Sequence, residues 1–324
     1  MESDNYFSKF ASIIYEFKNG NYEIGLNHLK ELLNKSSSFQ EKIEIAGVYA
    51  NLGLIENAKE ILHNISKNHE SIEVERLLAE IYFKENDNDN AIDAMLNVIN
   101  REPNADDYVF IAEIYAEEGL PEVAYRYINL ALDKNNNIPF YNYQKGIYAY
   151  EVGETAEAIS SLKKALELDN NEPMFHLTLG EILYYEGNFE EADYHYNKVL
   201  DINPEQEDAL YLKGILQLEN GNIAEGIEYL EKVAEVQPEN IDVLLVLYEA
   251  YEKESNYVNC ISVLERILEI DKFYLPAFKK LADIYLHLSD LDNAENIIYQ
   301  ALEIYPDDET ILYLLNQLRI KHNR

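Results

Sequence analysis

A single cysteine, no tryptophan and few basic residues set the limits on this 324-residue chain. Cys260 alone admits no intrachain disulfide and no thiolate zinc ribbon, which suits a reducing compartment. Lys and Arg number 26 against 61 Asp and Glu, a net charge of −35. Phosphate backbones and anionic lipid surfaces are held by basic side chains that displace counterions, so neither nucleic acid nor membrane is an expected partner. The longest apolar run, Val243 to Tyr248, is too short to cross a bilayer. No apolar stretch follows the acidic start Met1-Glu2-Ser3-Asp4-Asn5, so no secretory leader is expected. Apolar residues at 47% and charged ones at 27% are ordinary for a folded protein. A soluble, cytoplasmic protein is expected.

What the chain has in abundance is periodicity. Gly25, Ala58, Ala91 and Ala124 are spaced by 33, and Ala158, Ala192, Gly226, Cys260 and Ala294 follow by 34. Twelve residues earlier in each unit stand Ala46, Ala79, Ala112, Gly146, Gly180, Gly214 and Ala282, a series broken by Ile13 and Tyr248. Between the two lies a turn position: Gly20, Gly53, Asn86, Gly119, Gly153, Gly187, Gly221, Ser255 and Ser289. Gly and Asn end helices in the left-handed conformation at little steric cost. Pro103, Pro204, Pro238 and Pro306 close four units where a second helix must stop. Within helices the apolar residues recur at i, i+3, i+4 and i+7, as in Leu177, Leu179, Gly180, Leu183 and Tyr184. The pattern predicts a helical hairpin repeated nine times. One hairpin cannot bury both its faces, so neighbours must stack into an α-solenoid. Two helices cross closely only where both carry small side chains, which marks Gly180 and Ala192 as one such contact.

These residues resemble the tetratricopeptide repeat family. The unit 173–206 carries its consensus as Leu179-Gly180, Tyr184, Gly187, Phe189, Ala192, Tyr196, Val199 and Pro204. The resemblance implies a right-handed all-α solenoid of about nine helix-turn-helix repeats, over 6–38, 39–71, 72–104, 105–138, 139–172, 173–206, 207–240, 241–274 and 275–308. Residues 1–5 are then an N-terminal tail. Residues 309–324 are read as a capping helix, with Ile311, Leu312, Leu315 and Leu318 on one side. The consensus tryptophan of the first helix is replaced by Tyr108, His176, Leu210 or Phe278, and 27 tyrosines are available to fill such sites. The first unit fits least well, with Ile13 and Leu32 at normally small positions.

In this family the first helix of each repeat lines the concave surface. Carried over, the ninth residue of each unit faces inward: Ile14, Gly47, Glu80, Glu113, Ile147, Glu181, Ile215, Glu249 and Asp283. Neighbouring inward positions add Asp106, Glu117, Glu151, Asp208, Glu219, Asp242 and Glu252, interleaved with Phe110, Phe140, Tyr143, Tyr150, Tyr184, Tyr185 and Tyr211. Carboxylates among rigid aromatics suit Lys or Arg by ion pairing and cation–π stacking. The expected function is a non-enzymatic interaction scaffold whose acidic groove binds a basic segment of a partner protein. The candidate contacts are Glu80, Glu113, Phe140, Tyr143, Tyr150, Glu181, Tyr184, Tyr185, Tyr211 and Glu249. The alternative is self-assembly into a homo-oligomer through the first repeat, whose Phe7, Phe10, Ile14 and Phe17 form an apolar stripe. The Lys, Arg and Asn clamp by which some family members grip a C-terminal carboxylate is missing: the fifth and ninth positions offer Phe10 with Ile14, Ile43 with Gly47, and Arg76 with Glu80.

Catalysis, metals and cofactors find no support in the residues. The seven histidines form neither an H-E-x-x-H nor a nucleophile–base pair. His176 and His195 share a hairpin, but the first reads as helix packing and the second as surface. Cys260 reads as buried packing. The run Asn86-Asp87-Asn88-Asp89-Asn90 lacks the glycine and terminal glutamate of a calcium loop and reads as a helix cap.

Overall fold

The computed structural model describes residues 2–36 and 38–322, with side chains from residue 10 onward, and these hold nineteen α-helices and no strand. The chain divides into two compact units, residues 1–168 and 169–324. The first holds α1 (Glu2–Lys18), α2 (Tyr22–Lys35), α3 (Phe39–Asn51), α4 (Ile55–Ser66), α5 (Ile72–Lys84), α6 (Asn88–Ile99), α7 (Ala105–Glu117), α8 (Pro121–Lys134), α9 (Pro139–Glu151) and α10 (Thr155–Leu168). The second holds α11 (Pro173–Tyr185), α12 (Phe189–Ile202), α13 (Glu207–Glu219), α14 (Ile223–Val236), α15 (Ile241–Lys253), α16 (Tyr257–Ile270), α17 (Leu275–His287), α18 (Leu291–Ile304) and α19 (Glu309–His322). Each unit is a stretch of all-α solenoid, built of helical hairpins.

All nine turn residues adopt left-handed backbone, Asn86, Ser255 and Ser289 at φ of 58°, 56° and 60° among them. Their amides bond back onto the helix just ended, as Asn86 N does to Phe83 O at 2.9 Å. The next helix begins two residues on, which folds the two helices against each other. The acidic run at 86–90 is such a turn, where Asp87 caps α6 by accepting from Asn90 N. The small residues are buried where the two helices cross. A Cβ on Gly214 would stand 3.3 Å from Gly226 O, and one on Gly146 would stand 3.2 Å from Ala158 O. A Cβ on Gly180 would stand 2.7 Å from Tyr196 Cε1 and 3.3 Å from His195 Cβ, just as one on Gly146 would meet Leu162 and one on Gly214 would meet Leu230.

Three details depart from the sequence reading. Helix α1 takes in residues 2–5, read above as a tail, since Glu2-Ser3-Asp4-Asn5 contains no helix breaker. On α19 the buried residues are Ile311, Leu314, Leu315 and Leu318, while Leu312 is 39% exposed. A 3.6-residue turn aligns 311 with 314, 315 and 318 and carries 312 about 100° off that line. In the first hairpin Ile13 and Leu32 are simply buried, and Phe17 packs over Gly25. The side chain of Phe7 lies outside the described residues.

Candidate functional site

In the first unit the odd-numbered helices bring a set of acidic and hydrogen-bonding groups together. Gln144 on α9 donates through Nε2 to Glu113 Oε1 on α7 at 3.3 Å. Tyr148, one turn further along α9, lies near Glu113, Glu151 and Glu117, and burial pushes its phenol far up. Tyr141 donates to Asp106, which together with burial lifts its pKa to about 12. Burial raises the Glu113 carboxyl, and the neighbouring charge of Glu117 adds to it. Burial also raises Glu151. Glu80 on α5 is lifted by partial desolvation, against a smaller pull from Lys84.

The three other expected contacts on α9 differ in exposure. Phe140 is 41% exposed and stacks at a tilt on Tyr143 at 5.9 Å, but Tyr143 is itself buried at 8% exposure. Tyr143 is thus a packing ring at its own position. Tyr150 is half-buried.

In the second unit a denser cluster forms. Tyr184 and Tyr185 at the end of α11 meet edge to face at 5.4 Å, and the Tyr184 hydroxyl donates to Glu219 on α13 at 2.7 Å. Tyr211 on α13 lies within electrostatic reach of Tyr185 and of Asp242 on α15, and burial raises its phenol. Burial raises the Glu181 carboxyl, with the charge of Asp208 adding to it. Glu249 is exposed on α15. The sequence reading passed over Gln144 and Tyr148, and took Tyr196 only as a consensus residue of the repeat. A signal for the first two exists: Tyr141, Gln144, Tyr148 and Glu151 form one helical stripe, polar where a core stripe is apolar.

Two basic residues on the first helices of their repeats serve the fold. Arg76 donates from Nε and Nη2 to the two carboxylate oxygens of Asp107, at 2.7 and 2.8 Å, tying α5 to α7. Asp107 is 4% exposed and also closes a capping box with Asn104. Lys213 is buried at 3% exposure against Asp193 and Asn197.

His195 is not the surface residue its position suggested. His176 and His195 are each 5% exposed, with their Nδ1 atoms 2.9 Å apart. His176 Nε2 faces the Asn170 carbonyl at 3.1 Å, a bond only an N–H makes. The shared Nδ1 contact therefore places its proton on His195. Burial depresses the His176 pKa. A depressed histidine contributes stability above its unfolded value of about 6.5 and loses it as pH falls through the folded value. Replacing both rings, as His176→Leu with His195→Leu, removes that dependence. The gap in thermal midpoint between wild type and the double variant is expected to move against wild type as pH falls from about 7.5 to 5.5. An unchanged gap rejects the assignment.

Cys260 is fully buried, and burial lifts its thiol to about 11, so no thiolate nucleophile forms near neutral pH. Among the described residues no three His, Cys, Asp or Glu side chains converge as a metal site, and no helix is long and apolar enough to cross a membrane.

The geometry is that of stacked hairpins with a fixed turn and a fixed crossing residue. Two family models agree: a tetratricopeptide repeat matches residues 76–105, and the N-terminal ARM repeat of tetratricopeptide repeat protein 21 matches residues 147–295. The chain belongs to the tetratricopeptide repeat family. Solved tetratricopeptide repeat proteins share the fold at low identity. A tetratricopeptide repeat protein from Parabacteroides merdae matches at 16% identity and a TM-score of 0.55, over 76% of this chain and 98% of its own. The C-terminal part of a repeat-containing protein from Cytophaga hutchinsonii matches at 17% and 0.53, over 84% and 99%. YrrB, described as a tetratricopeptide repeat protein with an unusual peptide-binding site, matches at 19% and 0.50, over 57% and 97%. The sequence matches no curated protein significantly. Tetratricopeptide repeat proteins are in general non-enzymatic scaffolds that bind other proteins or peptides.

Proposed function

We propose that this tetratricopeptide repeat protein is an adaptor whose acidic, aromatic inner surface binds a basic segment of a partner protein. The observation that carries the reading is the state of Glu113 and Glu181. Both are half-buried, both are raised by burial with a further carboxylate beside them, and neither forms an ion pair with a basic residue of this chain among the described residues. A carboxylate held in that condition costs stability at neutral pH, and an incoming Lys or Arg relieves the cost.

The sign of the test follows from that cost. A carboxyl with a raised folded pKa destabilises above that value, and the penalty disappears as pH falls towards the unfolded value. Glu113→Gln with Glu181→Gln is therefore expected to melt no lower than wild type at pH 7. The same variant should bind a basic peptide about two- to tenfold more weakly at low salt. Calorimetric melting and titration with the peptide read the two effects separately. A variant that melts higher but binds equally well sinks the groove assignment.

Self-assembly through the first hairpin is the second reading, favoured by Ile14 and Tyr15 at 43% and 65% exposure. A monomer mass that holds across a light-scattering dilution series excludes it.

A further inference from the structure

We propose that Tyr184, Tyr185 and Tyr211 form a receptor for one lysine side chain of the partner, held as its primary ammonium. The proposal rests on the reading of this surface as a basic-segment site and names the group that anchors the segment.

The rings gather at the end of α11 and along α13, where Tyr184 also packs against Phe189. Tyr184 and Tyr185 stand at 75° to each other, and donation to Glu219 fixes the Tyr184 ring and enriches its electron density. Tyr185 is 71% exposed, so the cluster is open to a partner. The surrounding charge is of one sign, from Glu181, Asp208, Glu219 and Asp242.

Elsewhere in this unit the chain supplies the missing element itself. Lys280 Nζ lies 4.1 Å over the Tyr248 ring, whose hydroxyl donates to Glu252. Lys213 lies 5.4 Å over Tyr229, with Asp193 as its carboxylate. Lys198 lies 5.6 Å over Tyr194 and pairs with Asp201. A tyrosine ring, a carboxylate and a lysine ammonium recur together at three tyrosines, Tyr229 taking a second ammonium from Lys232, which pairs with Glu228. At Tyr184, Tyr185 and Tyr211 the rings and carboxylates are present, and no Lys or Arg of the described residues lies over them.

A second observation points the same way. The Tyr196 side chain is fully buried, its hydroxyl has no hydrogen-bond partner, and Glu181, Tyr184 and Tyr185 are its ionisable neighbours. That unmet hydroxyl, within electrostatic reach of Glu181, Tyr184 and Tyr185, marks the cluster as incompletely satisfied by the chain itself. The choice of lysine over arginine follows from the chemistry of the three precedents and from Glu219, one of whose oxygens is already taken. A guanidinium favours a carboxylate with both oxygens open, whereas an ammonium is a point charge with three free donors. Acetylation of the partner lysine removes the charge and the contact together.

The test titrates the full chain with hexalysine, with hexalysine acetylated at every Nζ, and with hexaarginine. Tyr185→Leu with Tyr211→Leu leaves the net charge unchanged, so a merely electrostatic association is unaffected by it. That variant is expected to lose about 5- to 30-fold in hexalysine affinity. Tyr185→Phe with Tyr211→Phe keeps both π faces and should bind as wild type does. The acetylated peptide should not bind, and hexaarginine should lose less to the leucine variant than hexalysine does. Should the double variant fail to fold, Tyr185→Leu alone, at an exposed position, reports the same loss in smaller measure. Equal hexalysine binding by wild type and the leucine variants overturns the lysine receptor and leaves the basic-segment reading standing. Equal losses for both peptides overturn the preference for an ammonium. No hexalysine binding by wild type at low salt overturns the basic-segment reading itself.

Discussion

Asp193→Ala is expected to destabilise the second unit by about 3–5 kcal/mol. Asp193 lies on α12 and compensates a lysine that the packing has taken out of water. The Lys213 side chain is 4% exposed, its ammonium 2.8 Å from Asp193 Oδ1 and 2.7 Å from Asn197 Oδ1. Asp193 in turn accepts from Gln217 at 3.0 Å and from Asn197 at 2.7 Å, and Gln217 accepts from Asn222 at 2.7 Å. Removing the carboxylate leaves a buried cation with one neutral acceptor and two amide donors with none. Lys213→Met should cost much less, because the Asp193 side chain is 30% exposed and keeps both amide donors. The pair Asp193→Leu with Lys213→Met should recover most of the loss, since a well-packed apolar pair replaces a buried ion pair at little net cost. Denaturant midpoints for the four proteins close a double-mutant cycle. If Asp193→Ala costs no more than Lys213→Met, the lysine is not dependent on this carboxylate.

The sequence displayed the fold through its constraints on backbone and volume. A left-handed turn and a close helix crossing each restrict one position to a few residue types, so Gly53, Asn86 and Ser255 announce the turns, and Ala58 and Cys260 the crossings. Those restrictions act within one hairpin, which is why they are legible in a linear chain. The α19 register needed only stricter use of the helical period at Leu312 and Leu314. The environment of the candidate residues depends instead on what the adjoining hairpins bring against them. Tyr143 and Tyr211 occupy the same fifth position of their units, yet Tyr143 is buried against Phe140 while Tyr211 stays partly open near Tyr185 and Asp242. His195 was misplaced for the same reason. Its ring is buried with its Nδ1 2.9 Å from that of His176 on α11, a partner that no periodicity within α12 records. Arg76 and Lys213 show the limit most plainly, since each cation is matched to one carboxylate on a different helix.

Gly226→Val is expected to cost the full extent of about 1–3 kcal/mol, and the reason separates two kinds of glycine in this chain. A Cβ on Gly226 would stand 2.7 Å from Leu218 Cδ2 and 2.9 Å from the Gly214 carbonyl oxygen. Leu218 has rotamers to move into, but the carbonyl belongs to the α13 backbone and moves only if the two helices part. Parting them opens the buried contacts of Leu230, so the strain spreads into the core of the unit. Gly187 offers the contrast. Its φ is +75° and nothing lies within 4 Å of an added Cβ, so Gly187→Ala meets backbone strain alone, about 1–2 kcal/mol. Three hairpins already tolerate that strain, with Asn or Ser at the same turn. The crossing position tolerates no such range, because Gly, Ala and Cys are all that occur in its nine copies. Unfolding midpoints of the two variants, taken side by side, weigh volume against conformation. A Gly226→Val variant no less stable than Gly187→Ala means the helices yield at their crossing, and the small-residue series then needs a cause other than close approach.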